Sequence, residues 1–193
     1  MKKQEQINSL LEEIGVVAVV QTSLPAMAVQ TAKKLLNKGV KAMEIAYRDL
    51  NNFDASDECI RAIREQVPEM LVGGATITSP ELAKRAYKAG AQFVFSAGFN
   101  PKTVSWCVKH NFPIIPGVVT PGEIEQALGF NLGLLKLFPV SVLGGVDYLK
   151  ALKGPYPQVK FLVSGGVNEN NVELYRSCSN VKVVSGSWLS NNL

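Results

Sequence analysis

The chain has 193 residues, enough to bury a sizeable core, and its length favours a single domain over residues 1–193. Hydrophobic residues make up 47% and charged residues 19% of it, a balance typical of folded proteins and not of disordered ones. The net charge of +4 comes from scattered lysines and arginines, which indicates solvated helix faces and not a nucleic-acid surface. No apolar segment reaches membrane-spanning length, and the charged N-terminus lacks the apolar region of a secretory signal. We therefore expect a cytoplasmic protein without nucleic-acid or membrane partners.

Cysteine and histidine usage limits the chemistry further. Cys59, Cys107 and Cys178 are widely spaced and form no CxxC pair, which argues against a disulfide framework and a zinc site. The single histidine, His110, is expected at or just beyond the end of a helix, with no acidic cluster around it. The sequence therefore predicts no metal site.

Predicted strands and helices alternate along the chain. A short amphipathic helix comes first and is followed by eight β-rich runs, at residues 16–22, 41–47, 70–76, 92–98, 112–119, 134–140, 159–166 and 181–187. Helical periodicity separates most of them, at residues 25–39, 55–67, 79–90 and 101–111. Gly39 and Gly90 mark helix ends, and Ser79 followed by Pro80 predicts a helix start.

Eight such units in series predict a (β/α)8 TIM barrel, with a short N-terminal helix and a truncated last helix. The first loop, "QTSLPAM", has no glycine, whereas a dinucleotide-binding open sheet would have a glycine-rich turn there. Little of the sequence follows the eighth run. The N-terminal helix or a neighbouring subunit is therefore expected to cover the flank of the barrel beside it.

Alternation of side chains along a strand predicts which residues face the barrel interior. In the second run, Glu44 and Arg48 share the inner face, toward the C-terminal mouth where barrel active sites lie. The outward face of that run carries the large apolar residues Met43, Ile45 and Tyr47. In the sixth run, Lys136 is turned inward within an otherwise apolar stretch, and Thr76 ends the third run at the mouth.

These four residues form a candidate active site. The amine of a buried Lys136 can attack a ketone to form a Schiff base, whose protonated form is an electron sink that lets a nearby C–C bond break. Glu44 can move the protons, and Arg48 offers a bidentate fork for the carboxylate of a 2-keto acid. Each residue also has a plain structural explanation: a Glu44–Lys136 ion pair inside the barrel, a surface arginine, and a turn threonine.

Two glycine-containing segments follow the last two predicted strands, "VSGGVNENN" and "VSGSWLS". Backbone N–H groups in such loops bind anions, and barrels often bind phosphate after strands seven and eight. Either segment alone is also what an ordinary turn looks like. Their two positions together predict a phosphate site.

In chain order, the segments "MEIAYR", "VGGAT", "QFVFSAG", "PIIPGVVTPGE", "KLFPV", "VSGGV" and "SGSWL" resemble the landmarks of one family, the bacterial 2-keto-3-deoxy-6-phosphogluconate / 4-hydroxy-2-oxoglutarate aldolases. The resemblance spans about residues 10 to 190. It implies a (β/α)8 barrel and a metal-independent, Schiff-base-forming (class I) aldolase, commonly a homotrimer. The implied reaction splits a 2-keto-3-deoxy-6-phospho sugar acid into pyruvate and glyceraldehyde 3-phosphate, or 4-hydroxy-2-oxoglutarate into pyruvate and glyoxylate. No cofactor is implied beyond the covalent imine.

The resemblance also implies residue roles. Lys136 matches the Schiff-base lysine and Glu44 the general acid/base. Arg48 and Thr76 match pyruvate-binding positions, and Ser164 stands where the family has a substrate-binding threonine. The phosphate-binding positions are matched by Gly165, Gly166, Gly186 and Ser187.

Several residues depart from the family pattern, among them Gln21, Asp49 and Ala97. They surround the distal half of the substrate, which leaves the aldehyde partner open. Two other hypotheses remain. A phosphate-binding barrel isomerase or epimerase would use the same glycine loops, but it has no need of a lysine in an apolar strand. A non-catalytic phosphosugar-binding barrel would not need Lys136 with Glu44.

Overall fold

The computed structural model describes residues 2–191 and 193, which alternate between parallel strands and helices. The strands are Val16–Val20 (β1), Ala42–Ala46 (β2), Leu71–Ala75 (β3), Val94–Phe95 (β4), Ile114–Ile115 (β5), Gly117–Val118 (β6), Leu134–Leu137 (β7), Lys160–Ser164 (β8) and Val181–Gly186 (β9). The α-helices are Lys2–Ile14 (α1), Pro25–Asn37 (α2), Phe53–Gln66 (α3), Pro80–Lys88 (α4), Pro101–Lys109 (α5), Pro121–Gly129 (α6), Gly145–Lys153 (α7), Val172–Arg176 (α8) and Trp188–Asn191 (α9). A short 3₁₀ helix covers Val140–Leu143. No helix in these described ranges is both long and apolar enough to cross a membrane.

The strands form one sheet in the order β5-β4-β3-β2-β1-β9-β8-β7-β6. Only Pro116 separates β5 from β6, and proline interrupts a ladder because it has no N–H to donate. Since β5 pairs with β4 and β6 pairs with β7, the two pieces act as one barrel strand that joins both edges of the sheet. This arrangement has eight strand positions and confirms the predicted (β/α)8 barrel.

Local signals at the helix ends act as the sequence indicates. The Ser79 side chain accepts a backbone hydrogen bond as the cap of α4, and Pro80 is the first helical residue. Gly39 and Gly90 lie just beyond α2 and α4 with φ of 80° and 91°, which glycine adopts at little cost. His110 follows directly after α5. The four helical stretches predicted between strands correspond to α2–α5.

Buried apolar residues form two clusters, one on each side of the sheet. The outer cluster, between strands and helices, includes Met43, Ile45 and Tyr47 of the second strand position and Leu135 and Leu137 of β7. The inner cluster fills the barrel and consists of Ile7, Leu11, Val17, Ala42, Leu71, Phe93, Phe95, Ile115, Leu134, Leu162 and Val183. This division confirms the alternation predicted for the second and sixth runs.

Helix α1 closes the N-terminal end of the barrel. Its apolar residues join the inner cluster, and the Gln4 side chain forms two hydrogen bonds with the backbone of Ile114, at 2.9 and 3.1 Å. Glu12 forms an ion pair of 2.7 Å with Lys160 at the start of β8. The helix is therefore the floor of the barrel.

On the flank beside β9, helix α1 contacts β9 itself, and a second helix adds cover. The short helix α9 packs against β1 and α2 there. The Ser190 hydroxyl donates a hydrogen bond of 2.7 Å to the carbonyl of Val19. One turn of helix thus shields the β1 edge of this flank.

Candidate active site

Two charged side chains are buried inside the upper half of the barrel. Lys136 on β7 is 6% exposed and Glu44 on β2 is 1% exposed. The Nζ of Lys136 lies 3.6 Å from Oε1 of Glu44. Both point inward because the large apolar residues that flank them in sequence pack outward against the helices. The structure therefore brings together the two residues that the sequence predicted as nucleophile and acid/base.

Aromatic rings surround the lysine amine. Its Nζ lies 5.3 Å from the ring centroid of Phe95 and 5.6 Å from that of Phe138. Such ring faces attract a cation, and their bulk keeps water away from the amine. The amine is thus held in a largely dry site with one carboxylate beside it.

The Glu44 carboxylate is anchored through one oxygen only. Oε1 accepts a hydrogen bond of 3.4 Å from the Ser185 hydroxyl and faces Lys136. Oε2 is buried and has no hydrogen-bond partner within the described part of the chain. Burial raises the pKa of Glu44 above its ordinary 4.5, while Lys136, the Ser185 hydrogen bond and Arg48 act in the opposite direction. A raised pKa suits a carboxyl group that both takes up and gives back a proton.

Arg48 and Thr76 lie together at the mouth of the barrel. The Nε of Arg48 donates to Oγ1 of Thr76 at 3.4 Å, and its Nη1 donates to Oε1 of Gln21 at 3.4 Å. Thr76 has φ of 60°, which is strained for a β-branched residue and is typical of functional sites. Arg48 follows Glu44 by four residues at the same strand position, and its charge acts to lower the pKa of Glu44.

The first glycine loop packs directly against the segment that follows Lys136. Ser164 ends β8 and is buried, and Gly165 and Gly166 follow with φ of 87° and 84°. A Cβ at Gly165 would lie 2.7 Å from the Cα of Pro139, and one at Gly166 would overlap the Ser141 side chain. Only glycine permits this approach, so the loop backbone lies against the segment that follows β7.

The second glycine loop opens next to the first because β8 pairs with β9. Gly186 ends β9, and a Cβ there would overlap the Trp188 ring. Ser187 is exposed and precedes α9. The helices after the two loops, α8 and α9, have only five and four residues, so an anion here would depend on loop N–H groups and the Ser187 hydroxyl.

A cleft of about 320 Å³ extends from Arg48 and Ser187 along the side of the mouth. Its other polar lining comes from Gln21, Thr22 and Asn191, together with Thr31 and Ser190. Apart from Arg48, these side chains are neutral. Of the departures from the family pattern named above, Gln21 lines this cleft.

Sequence reasoning missed two contacts of the central pair. Phe95 borders Lys136, and Ser185 hydrogen bonds to Glu44. Alternation on β9 offered a signal for Ser185, because the inner residue Val183 lies two positions before it. Across residues 2–191 and 193, no three His, Cys, Asp or Glu side chains form a group that could hold a metal ion.

An interior lysine paired with a carboxylate at the mouth of a barrel is the arrangement of a Schiff-base-forming enzyme. The sequence model of a family described as "Aldolase: KDPG and KHG aldolase" matches residues 7–193. The 2-dehydro-3-deoxy-phosphogluconate aldolase of Treponema pallidum is 40% identical over 179 residues, which cover 93% of this chain and 83% of that protein.

Solved structures agree with the sequence match. The KDPG aldolase of Legionella pneumophila, with pyruvate captured as a covalent carbinolamine intermediate, superposes with a TM-score of 0.85 at 31% identity and covers 90% of this chain and 82% of that one. The 2-keto-3-deoxy-6-phosphogluconate aldolase of Zymomonas mobilis with 3-phosphoglycerate gives a TM-score of 0.89 at 26% identity, with coverage of 96% and 86%. The chain belongs to the KDPG and KHG aldolase family, as its motifs predicted.

Proposed function

We propose that this protein is a class I aldolase that cleaves a 2-keto-3-deoxy-6-phospho sugar acid to pyruvate and glyceraldehyde 3-phosphate. The observation that carries the proposal is the 3.6 Å contact between Lys136 and Glu44 inside the barrel. The pyruvate carbinolamine of the Legionella relative supports a covalent route. In this proposal Lys136 is the nucleophile and Glu44 transfers the protons.

The reaction begins with attack on the ketone. The neutral amine of Lys136 adds to C2 of the substrate and gives a carbinolamine. Glu44 donates the proton with which the C2 hydroxyl leaves as water, and an iminium ion remains. Glu44 is left as a carboxylate beside the bound substrate.

Cleavage of the C3–C4 bond follows. The Glu44 carboxylate removes the proton of the C4 hydroxyl, the C3–C4 bond breaks, and its electron pair moves toward the iminium nitrogen. The products of this step are an aldehyde and an enamine on Lys136. Glu44 then gives its proton to C3, which restores an iminium ion. Water adds to C2 of this ion, Glu44 takes up the proton released, and the C–N bond breaks to give pyruvate and the neutral amine of Lys136. The water lost in the first stage is regained here.

The remaining site residues hold the two ends of the substrate. In this proposal Arg48 and Thr76 bind the carboxylate of the keto acid, for which an arginine fork is well suited. The 3.4 Å hydrogen bond from Nε of Arg48 to Oγ1 of Thr76 supports a shared role. Ser164, buried at the end of β8, is a further substrate-binding residue in this proposal. Gly165, Gly166, Gly186 and Ser187 bind the phosphate in this proposal, and the 3-phosphoglycerate of the Zymomonas relative supports an anion subsite.

The same proposal covers the wider context of the protein. Residues 1–193 act as one aldolase barrel domain, which assembles as a homotrimer in the cytoplasm. 4-Hydroxy-2-oxoglutarate is a second substrate, since the family description includes KHG aldolases. The neutral polar cleft beside Arg48 leaves room for either distal group.

The decisive experiment is borohydride trapping with pyruvate. We expect reduction to add a pyruvate-derived mass to the peptide that contains Lys136, and we expect turnover to survive EDTA. Lys136→Ala should show no adduct, whereas Lys182→Ala, which removes an exposed lysine from β9, should label as wild type. An unlabelled wild-type protein that binds pyruvate would overturn the proposal in favour of an isomerase or a binding protein.

A further inference from the structure

The two oxygens of the Glu44 carboxylate have different surroundings. Oε1 contacts both Lys136 and Ser185, at 3.6 and 3.4 Å. Oε2 is buried without a hydrogen-bond partner among the residues that the structure describes. A buried carboxylate oxygen without a donor is costly to maintain, so this oxygen is positioned for a group that arrives from outside.

Ser185 contacts Glu44 from the next strand but one. It lies on β9, beside Ser164 of β8 and Val17 of β1, and it is fully buried. Only strand β1 separates β9 from Glu44 on β2, so the hydroxyl reaches the carboxylate over one intervening strand. A buried hydroxyl needs an acceptor, and Oε1 of Glu44 is the one that the structure provides.

This contact restricts the rotation of the carboxylate. Lys136 alone attracts both oxygens and does not distinguish between them, because an ammonium group is a compact charge. A hydroxyl that donates to Oε1 fixes which oxygen faces the lysine. The 3.4 Å separation is long, as catalytic hydrogen bonds commonly are before substrate binds.

We propose that Ser185 is a positioning residue, whose hydroxyl holds Oε1 of Glu44 so that Oε2 exchanges protons with the substrate. The proposal rests on the proposed function, in which Glu44 is the general acid/base. It adds a residue that does not contact the reacting atoms itself. The charged groups that act on Glu44 are Lys136 from β7 and Arg48 beyond the end of β2. A substitution of Ser185 leaves both of these charges in place.

The sign of the expected pH effect follows from the hydrogen bond. A donor to the carboxylate favours the charged form and lowers the pKa of Glu44 against the effect of burial. Loss of the Ser185 hydroxyl therefore raises the pKa further. In the cleavage step Glu44 acts as a carboxylate, so the acid limb of the pH profile of kcat should move to higher pH.

The test compares Ser185→Ala with Ser56→Ala. Ser56 is also a buried serine with a 3.4 Å hydrogen bond, but its acceptor is the backbone carbonyl of Ala46. We expect Ser185→Ala to lower kcat about tenfold, to shift the acid limb upward and to leave KM and borohydride trapping nearly unchanged. Ser56→Ala should keep the wild-type profile. Ser185→Thr, which keeps a hydroxyl, should restore the acid limb.

Two outcomes separate the inference from the proposed function. If wild type traps pyruvate on Lys136 but Ser185→Ala has the wild-type pH profile, Ser185 is only a packing residue and the inference fails alone. If wild type does not trap pyruvate, or Glu44→Gln turns over as wild type, the proposed function itself fails. An equal change in Ser56→Ala and Ser185→Ala would also overturn the positioning role.

Discussion

The double variant Lys136→Met/Glu44→Gln distinguishes a catalytic lysine from a structural ion pair. At 3.6 Å and a dielectric constant of about 20, the two charges attract each other by about 5 kcal/mol. Desolvation offsets part of this attraction, so Lys136→Met alone should lower the free energy of unfolding by about 3 kcal/mol near pH 8. In a chain of 193 residues this corresponds to a fall in Tm of roughly 6–12 °C.

The penalty of Lys136→Met should shrink toward acid pH. Burial already raises the pKa of Glu44, and loss of Lys136 removes the largest effect that lowers it. The isolated carboxyl group therefore takes up a proton instead of remaining charged in the interior. Adding Glu44→Gln removes the buried charge at every pH, so the double variant should recover most of the lost stability.

The assay combines urea unfolding with turnover, at one protein concentration for wild type, Lys136→Met, Glu44→Gln and the double variant. We expect stability to fall in Lys136→Met and to recover in the double variant, while turnover is absent from both. A stable double variant that turns over substrate would reduce Lys136 to an ion-pair partner. A double variant no more stable than Lys136→Met would refute the electrostatic reasoning.

Three further predictions follow from the site. Arg48→Lys removes the planar fork, so KM for the keto acid should rise about tenfold with little change in kcat; a change confined to kcat would contradict carboxylate binding. Gly165→Ala should destabilise the protein by about 1–3 kcal/mol in urea, since φ is 87° and the new Cβ meets Pro139, whereas Gly133→Ala, where no atom lies within 4 Å, should not. The raised pKa of Glu44 contributes stability that is fully present below pH 4.5 and is lost as the pH rises through the pKa of the folded protein. The free energy of unfolding of wild type, measured relative to Glu44→Gln, should therefore fall as the pH rises from 4.5. A difference that does not depend on pH would show that the pKa is not raised.

Alternation within two strands accounts for most of what the sequence predicted correctly. Met43, Ile45 and Tyr47 are too large and apolar to lie anywhere but against helices, and this placed Glu44 inside the barrel. The single lysine among the leucines of β7 was informative for the same reason. Short-range chemistry therefore located both ends of the Lys136–Glu44 contact.

Contacts between residues far apart in the sequence could not be predicted from alternation along single strands. Tyr47 donates a 2.6 Å hydrogen bond to Asp57, which also pairs with Arg85 from the next helix, and nothing in their spacing indicates that they meet. The position of α1 was equally unpredictable, because an amphipathic helix can cover either the N-terminal end of a barrel or its side. Pro116 divides one barrel strand into β5, which pairs with β4, and β6, which pairs with β7. This division could not be predicted from the segment itself, because it depends on which strands lie on either side.

The floor formed by α1 has a kinetic consequence. With Gln4 bonded to Ile114 and apolar residues filling the lower barrel, everything that enters the site must also leave through the mouth. In the proposed reaction the three-carbon fragment stays covalently attached at depth, while the aldehyde lies between it and solvent. Departure is then sequential: the aldehyde leaves first and pyruvate last, and in the synthetic direction pyruvate must be loaded before its partner. A barrel with one open end thus fixes the order of product release without a conformational change.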